Sequence, residues 1–160
     1  KLNQLLTLPK ETLIQDLELV LQDSINRYGY FVDWAEDNGW IEDRLFFVVH
    51  AIYLLGELEA TEHLESVFNI LSQSDEFLDF YLDDFMTECL WEPVFKMATH
   101  NLEACKQFMY KPGVNTYARI ITSDFVQQIA LHEPERYDEA IEWYANVFKF
   151  FLNLSKDRYD

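Results

Sequence analysis

The sequence has few residues that make turns. Its 160 residues include only four glycines and four prolines, whereas β-sandwiches and barrels need turn residues every 8–12 positions. No segment alternates convincingly between apolar and polar residues over the length of a strand. Hydrophobic residues make up 49% of the chain and aromatic residues 16%, so the chain can form a substantial core and is not disordered. These features predict a single all-α domain over residues 1–160.

Basic residues are also scarce. Twelve Lys and Arg against 29 Asp and Glu give a formal net charge of −17, and such a surface repels phosphate backbones and anionic lipids. Partners among nucleic acids and membranes are therefore not expected. The longest apolar run, residues 45–55, is interrupted by His50 and is too short to span a bilayer. With no recognisable secretory signal, we expect a cytoplasmic protein.

Residues for catalysis or metal binding form no known motif. The two cysteines, Cys89 and Cys105, fit neither a disulfide framework nor a zinc site, so we expect buried free thiols. The four histidines form no pair at metal-ligand spacing, and the glycines form no phosphate-binding loop. His50 lies in an apolar segment, which predicts a hydrogen-bonded core histidine. We therefore predict no catalytic residue, no metal ligand and no cofactor, and an enzyme is the less favoured class.

Helical periodicity runs along the whole chain. Two helices, the second ending at Asn38-Gly39, form a predicted N-terminal cap over residues 1–41. Helical hairpins follow over residues 42–160. Their predicted helices cover residues 42–58 and 62–71, then 77–85 (one or two short helices) and 87–98 with 102–109, and finally 117–131 and 141–152. Pro93 is expected to disturb the helix at residues 87–98. The first helices of three hairpins begin near residues 45, 87 and 117, a spacing of about 30 to 42 that is typical of degenerate helical repeats. A plain helical bundle is the alternative architecture.

The stretch from residue 45 to residue 95, called the acidic block below, contains no Lys or Arg. Its acidic residues are Glu57, Glu59, Glu62, Glu65, Asp75, Glu76, Asp79, Asp83, Asp84, Glu88 and Glu92. One interpretation is a solvated face that keeps the protein soluble. Another is an anionic surface that recognises a basic partner. A divalent-cation site is a third, although Phe80, Tyr81 and Leu82 break the pattern of a calcium-binding loop.

Several segments resemble a known family. The segment LLGELEATEHLESVFNIL resembles a HEAT repeat, and NTYARIITSDFVQQIA resembles its first helix, with Arg119 at the position of the HEAT arginine. Residues of about 44–153, with HAIYLLGELEATEHL, DDFMTECL and NTYARI, resemble a bacterial HEAT-like family known as domain of unknown function 1186. This resemblance implies an α-α superhelix of about three degenerate hairpins. The family pattern has Gly-Asp where this chain has Asp83-Asp84, and no part of the chain matches the Cys-rich zinc module of some relatives.

The resemblance and the acidic block together define the predicted site. Asp84, Thr87 and Glu88 match the family motif, and we expect an ion pair between these acidic residues and Arg119. The predicted binding residues are Asp79, Asp83, Asp84, Thr87, Glu88, Trp91, Tyr117 and Arg119. The predicted function is a non-catalytic protein-interaction module whose partner is a basic protein or peptide; no oligomeric state is predicted. The alternatives are a metal-binding protein or enzyme that uses Asp79, Asp83, Asp84 and Glu88, and a mimic of nucleic-acid phosphates.

Overall fold

The fold was analysed in a computed structural model that describes residue 5 and residues 7–154. The parts of the predicted domain at residues 1–4, 6 and 155–160 lie outside the described residues. Every regular element within the described residues is helical, so the all-α class is confirmed there. The α-helices are α1 (Lys10–Asn26), α2 (Tyr28–Asn38), α3 (Glu42–Leu45), α4 (Phe47–Glu57), α5 (Leu64–Ile70), α6 (Asp75–Tyr81), α7 (Phe85–Glu88), α8 (Trp91–Ala98), α9 (Leu102–Tyr110), α10 (Thr116–His132) and α11 (Tyr137–Leu152). Short 3₁₀ turns, Thr61–His63 and Pro134–Arg136, precede α5 and α11.

Helix ends follow local chemistry. Gly39 ends α2 with a φ of 78°, a left-handed conformation that glycine adopts without steric cost. Ser74 caps α6, since its hydroxyl accepts a hydrogen bond from the backbone N–H of Phe77. Asn101 and Asn115 cap α9 and α10 in the same manner. The predicted stop at Asn38-Gly39 is therefore confirmed.

Two predicted helices are each divided in the structure. The predicted helix at residues 42–58 breaks at Phe46, which separates α3 from α4. The predicted helix at residues 87–98 breaks at Cys89 and Leu90. Pro93 lies in the first turn of α8, where a missing N–H leaves no intrahelical bond unmade. Restarting the helix at Trp91 thus accommodates the proline.

The prediction of a core histidine at position 50 is wrong. His50 is exposed, and its ring stands edge-on to the ring of Phe46 at 5.2 Å. The apolar run continues on both sides of His50 in the sequence, but one face of α4, the face with His50, is exposed to solvent. Of the two cysteines, Cys105 is buried as expected, and burial raises the pKa of its thiol to about 12. Cys89 is also a free thiol but is only half-buried.

The longer helices contact one another in series. Helix α1 contacts α4, α4 contacts α8, and α8 contacts α10. Helices α5, α9 and α11 form a second layer, in which α5 contacts α1 and α8, and α9 contacts α10 and α11. The buried apolar side chains form one continuous cluster that extends from Leu13 in α1 to Val147 in α11. The two layers therefore share a single core within the described residues.

Aromatic side chains make up the part of this core that lies beneath α6. Tyr81 is 1% exposed, and the rings of Tyr28, Phe31, Phe47, Phe77 and Phe80 surround it at centroid distances between 4.8 and 6.3 Å. Burial raises the pKa of the Tyr81 hydroxyl far above its usual range. This cluster fixes α6 against α2 and α4, and so positions the acidic residues that follow α6.

Candidate functional site

The acidic block is exposed in the structure. Ten of its carboxylates are solvent-exposed, and Glu92 is half-buried. Lys96 lies just outside the block and bridges two of its residues, since its Nζ atom is 2.6 Å from Glu57 Oε1 and 2.7 Å from Glu92 Oε1. The other block residues make no ion pair to Lys or Arg within the described residues. The block therefore presents a net negative surface.

Three carboxylates of the block converge on one surface groove. Asp79, at the end of α6, and Asp83 and Asp84, in the turn before α7, line a cavity of about 300 Å³. We call this cavity the Trp40 groove. Its lining residues are Trp40, Phe46, Asp79, Phe80, Tyr81, Leu82, Asp83, Asp84 and Phe85. The groove therefore combines negative charge with an aromatic lining.

The turn between α6 and α7 sets the positions of these carboxylates. The backbone N–H groups of Leu82 and Asp83 both donate to the carbonyl of Leu78, at 2.8 and 3.1 Å. Asp83 has a φ of 40°, a left-handed conformation that glycine favours and that Asp and Asn tolerate better than most residues. This is the position at which the family pattern has glycine. Aspartate in place of glycine at position 83 thus adds a carboxylate to the groove without requiring a different turn.

The aromatic side of the groove comes from two distant segments. Trp40 directly follows the left-handed Gly39, and its indole Nε1 donates to the carbonyl of Phe80 at 2.9 Å. Phe85 lies at the start of α7 and stands edge-on to Phe46 at 4.7 Å. Trp40 is 46% exposed and Phe85 is 43% exposed. Both rings are held in place by contacts and yet have large solvent-accessible faces.

The remaining predicted site residues lie elsewhere. The Thr87 hydroxyl donates to the Asp84 carbonyl at 3.3 Å, a local bond at the start of α7. Glu88 is exposed on α7, and Trp91 is half-buried against the core. Tyr117 is exposed on α10. None of these four side chains lines the Trp40 groove.

The predicted ion pair between Arg119 and the acidic residues Asp84 and Glu88 is wrong. Arg119 Nε donates to the carbonyl of Met109 at 3.1 Å, and one terminal nitrogen donates to the carbonyl of Lys111 at 2.8 Å. Its guanidinium also lies 5.6 Å from the centre of the Phe151 ring. The arginine therefore caps the carboxyl end of α9, where free carbonyl groups and the helix dipole favour a cation.

The groove also contains residues that the sequence-based site did not include. Trp40 and Phe46 lie 33 or more residues before Asp79 in the sequence, and Phe85 directly follows Asp84, but all three line the same groove as the carboxylates. One local signal was available for Trp40. Because Gly39 ends α2, the tryptophan that follows it is no longer part of the helix. The contact between Trp40 and Phe80 spans 40 residues, however, and no local pattern indicates it.

Metal binding receives no support from the described residues. Within them, no group of three or more His, Cys, Asp or Glu side chains is placed to hold a metal ion. Asp75, Asp79 and Asp83 follow one another at intervals of four residues, but Asp75 accepts a hydrogen bond from the Asn115 side-chain amide at 2.6 Å. The described helices also include none that is both long and apolar enough to cross a membrane.

The fold and the groove define a class: an all-α protein with an acidic, aromatic-lined surface groove. The chain belongs to the family described as "Protein of unknown function (DUF1186)", whose profile matches residues 9–159. The match thus includes most of the N-terminal region, where the sequence resemblance was less distinct. Neither a curated protein nor a solved structure shows significant similarity to the chain.

Proposed function

We propose that this chain is a HEAT-like repeat protein that binds a basic segment of a partner protein in the Trp40 groove. The serial contacts of α1, α4, α8 and α10, with a second layer of α5, α9 and α11, support the HEAT-like arrangement. The observation that carries the binding role is that Asp79, Asp83 and Asp84 line the same groove as the exposed ring of Trp40. A solubilising face needs charge only, and it gains nothing from aromatic rings held in a cavity.

The chemistry of the groove selects arginine over lysine. Both side chains are attracted by the three carboxylates. The planar guanidinium of arginine also stacks on indole and phenyl faces, and it is more weakly hydrated than an ammonium group. A partner segment with arginine beside small or apolar residues fits this combination. Because the carboxylates are exposed, the attraction is screened by salt.

Fluorescence anisotropy tests the proposal with two labelled probes of equal length and charge, an oligo-arginine peptide and an oligo-lysine peptide. We expect the arginine probe to bind more tightly, and the affinity of both probes to fall as the ionic strength rises. Asp79→Asn/Asp83→Asn/Asp84→Asn removes the three groove charges, and asparagine also tolerates the left-handed conformation at position 83. This variant should lose about tenfold in affinity, since three exposed charge contacts of about 0.5 kcal/mol each give roughly 1.5 kcal/mol, close to the roughly 1.4 kcal/mol of a tenfold change.

The matched control removes the same number of charges away from the groove. Glu11→Gln/Asp16→Asn/Glu135→Gln changes three exposed residues that form no ion pair within the described part of the chain. Equal losses in the two triple variants would show that only the net charge of −17 matters, and would contradict binding in the groove.

Trp40→Ala should remove the preference for arginine while leaving the salt dependence in place. Calorimetric heat from a divalent cation that disappears in the groove variant would favour the metal-binding alternative instead.

A further inference from the structure

The last helix presents an apolar stripe to solvent. Tyr137, Ile141, Tyr144, Phe148 and Leu152 follow one another at intervals of four, three, four and four residues, which places them along one face of α11. We call this set the α11 stripe. It is distinct from the core-facing side, which consists of Ala140, Trp143 and Val147. Four stripe residues are at least half exposed, and Leu152 reaches 85%.

Contacts hold the middle of the stripe, Tyr144 and Phe148, in a fixed shape. The Tyr144 hydroxyl donates to the carbonyl of Ser123 in α10 at 2.6 Å. The ring of Tyr144 stacks on the ring of Phe148 with a centroid distance of 6.1 Å. Ile120 and Leu131 of α10 are also exposed, and they lie one turn before and about two turns after Ser123, which places them on the side of α10 that meets Tyr144. These two side chains can therefore bind a partner with little loss of side-chain entropy.

The area of this surface matches that of a specific interface. With about 200 Å² for a large apolar side chain, the exposed parts of Ile120, Leu131, Tyr137, Ile141, Phe148 and Leu152 amount to roughly 700 Å². This area exceeds that of the largest apolar patch on a typical monomer, which is about 300–600 Å². Two such surfaces facing each other would bury roughly 1,400 Å², which lies within the range of stable interfaces.

We propose that the α11 stripe is a homodimer interface in which α11 of a second copy packs antiparallel across a two-fold axis near residues 144 and 145. This arrangement places Tyr137 of one copy opposite Leu152 of the other, and Ile141 opposite Phe148. Every apolar side chain of the stripe then meets an apolar side chain, as an isologous interface requires.

Charges beside the stripe favour the same orientation. Asp138 and Glu142 lie in the first half of α11, and Lys149 lies near its end. None of the three forms an ion pair within the described residues. Antiparallel pairing brings Lys149 of each copy to within about one helical turn of Asp138 and Glu142 of the other. Parallel pairing would instead align the two helix dipoles unfavourably.

Light scattering coupled to size exclusion, at physiological ionic strength and over a wide range of protein concentration, tests this dimer. We expect a mass of twice the 19.1 kDa of the chain. Ile141→Glu/Phe148→Glu should yield a monomer with an unchanged helical circular dichroism spectrum. The matched control, Leu19→Glu, alters a 66% exposed residue of α1 and should remain dimeric. A monomer at every concentration, or a dimer that survives the double substitution, would overturn the proposal.

Two further variants test the orientation. Lys149→Glu should weaken the dimer, and adding Glu142→Lys should restore it, because the exchanged charges again face each other. Ala145→Cys, in a Cys89→Ser background, should form a disulfide between copies on mild oxidation, since residue 145 lies next to the axis. Tyr137→Cys should not, because its two copies would lie roughly 20 Å apart along the helices. Cross-linking of Tyr137→Cys alone, or assemblies larger than a dimer, would rule out antiparallel two-fold pairing.

Discussion

Gly56 in α4 lies directly against Pro93 in α8. A Cβ atom at position 56 would come within 2.6 Å of the Cα and Cβ atoms of Pro93, a separation that requires the two helices to move apart. Gly56 does not have a positive φ, so glycine is needed here for close approach and not for backbone conformation. The contact lies within the acidic block, between two helices that pack extensively.

Gly56→Ala should therefore destabilise the protein, although alanine is the better helix former. Helix propensity favours alanine by about 1 kcal/mol, but overpacking of a close helix contact costs about 1–3 kcal/mol. We expect a net loss of up to about 2 kcal/mol in the free energy of unfolding, measured by urea denaturation. Gly29→Ala in α2 is the matched control, since a Cβ there meets no atom within 4 Å. It should leave stability unchanged or increase it, and the same result at position 56 would contradict the contact.

Trp143 makes a second helix contact that is open to measurement. Its indole Nε1 donates to the carbonyl of Leu102 at 3.1 Å, and the side chain is 4% exposed. Trp143→Phe keeps a ring in the core but leaves this carbonyl without its donor, which should cost about 1–3 kcal/mol. Trp40→Phe removes the equivalent bond to Phe80 at an exposed site, and should cost less than about 1 kcal/mol because water replaces the donor. Equal losses in the two variants would show that burial of the bond is not what matters.

Acid should weaken the contact between α1 and α5 through Glu18. Burial alone would raise the pKa of Glu18, but hydrogen bonds from Ser66 and His63 outweigh it and lower that pKa below 4.5. The Ser66 hydroxyl is 2.6 Å from Glu18 Oε1, and His63 Nδ1 is 2.9 Å from the same oxygen. A carboxyl group with a lower pKa in the folded state binds fewer protons there than in the unfolded state. It therefore stabilises the fold above pH 4.5, and this stabilisation is lost as the pH falls through the folded-state pKa.

Chemical denaturation at a series of pH values measures this effect. The stability of the wild type should fall more steeply below pH 4.5 than the stability of Glu18→Gln. Glu36→Gln, which changes an exposed residue of α2, should follow the wild-type curve. Parallel curves for the wild type and Glu18→Gln would show that the carboxylate contributes no pH-dependent stability.

The sequence predicts those features that depend on neighbouring residues. The stop at Gly39 follows from the conformation of one glycine, and the helical class follows from periodicity and the scarcity of turn residues. The exposure of His50 was missed because an apolar run does not show which side of a helix is left uncovered. The division at Phe46 was missed because the short helix α3 is fixed by tertiary contacts, which override local propensity. A disturbance by Pro93 was expected, but the sequence did not place the break at Cys89.

The groove illustrates the same limit. The sequence identified Asp79, Asp83 and Asp84, which lie within six residues of one another. Trp40 could not be assigned to them, because only the folded chain brings it to Phe80. The predicted partner of Arg119 was wrong for a related reason. The family pattern has an arginine at this position, but it does not show whether that arginine binds a carboxylate or the free carbonyl groups at a helix end.

Arg119 therefore gives a prediction that separates these two roles. Its guanidinium bonds to the carbonyls of Met109 and Lys111, so Arg119→Ala should cost about 1–2 kcal/mol, as expected for charge-assisted bonds that are partly exposed. Arg119→Lys should recover only part of this loss, since one ammonium group cannot reproduce the two-pronged geometry. Urea denaturation of both variants measures these differences.

A double-mutant cycle then separates the carbonyl cap from an acid–arginine pair. Asp84→Asn and Glu88→Gln should each change stability by less than about 0.5 kcal/mol, because both carboxylates are exposed. Each should also add independently to Arg119→Ala, since residues without a shared contact show a coupling energy near zero. A buried pair would instead lose about 3–5 kcal/mol on removal of either partner. A coupling energy above about 1 kcal/mol between Arg119 and either acidic residue would therefore contradict the cap and restore the ion pair.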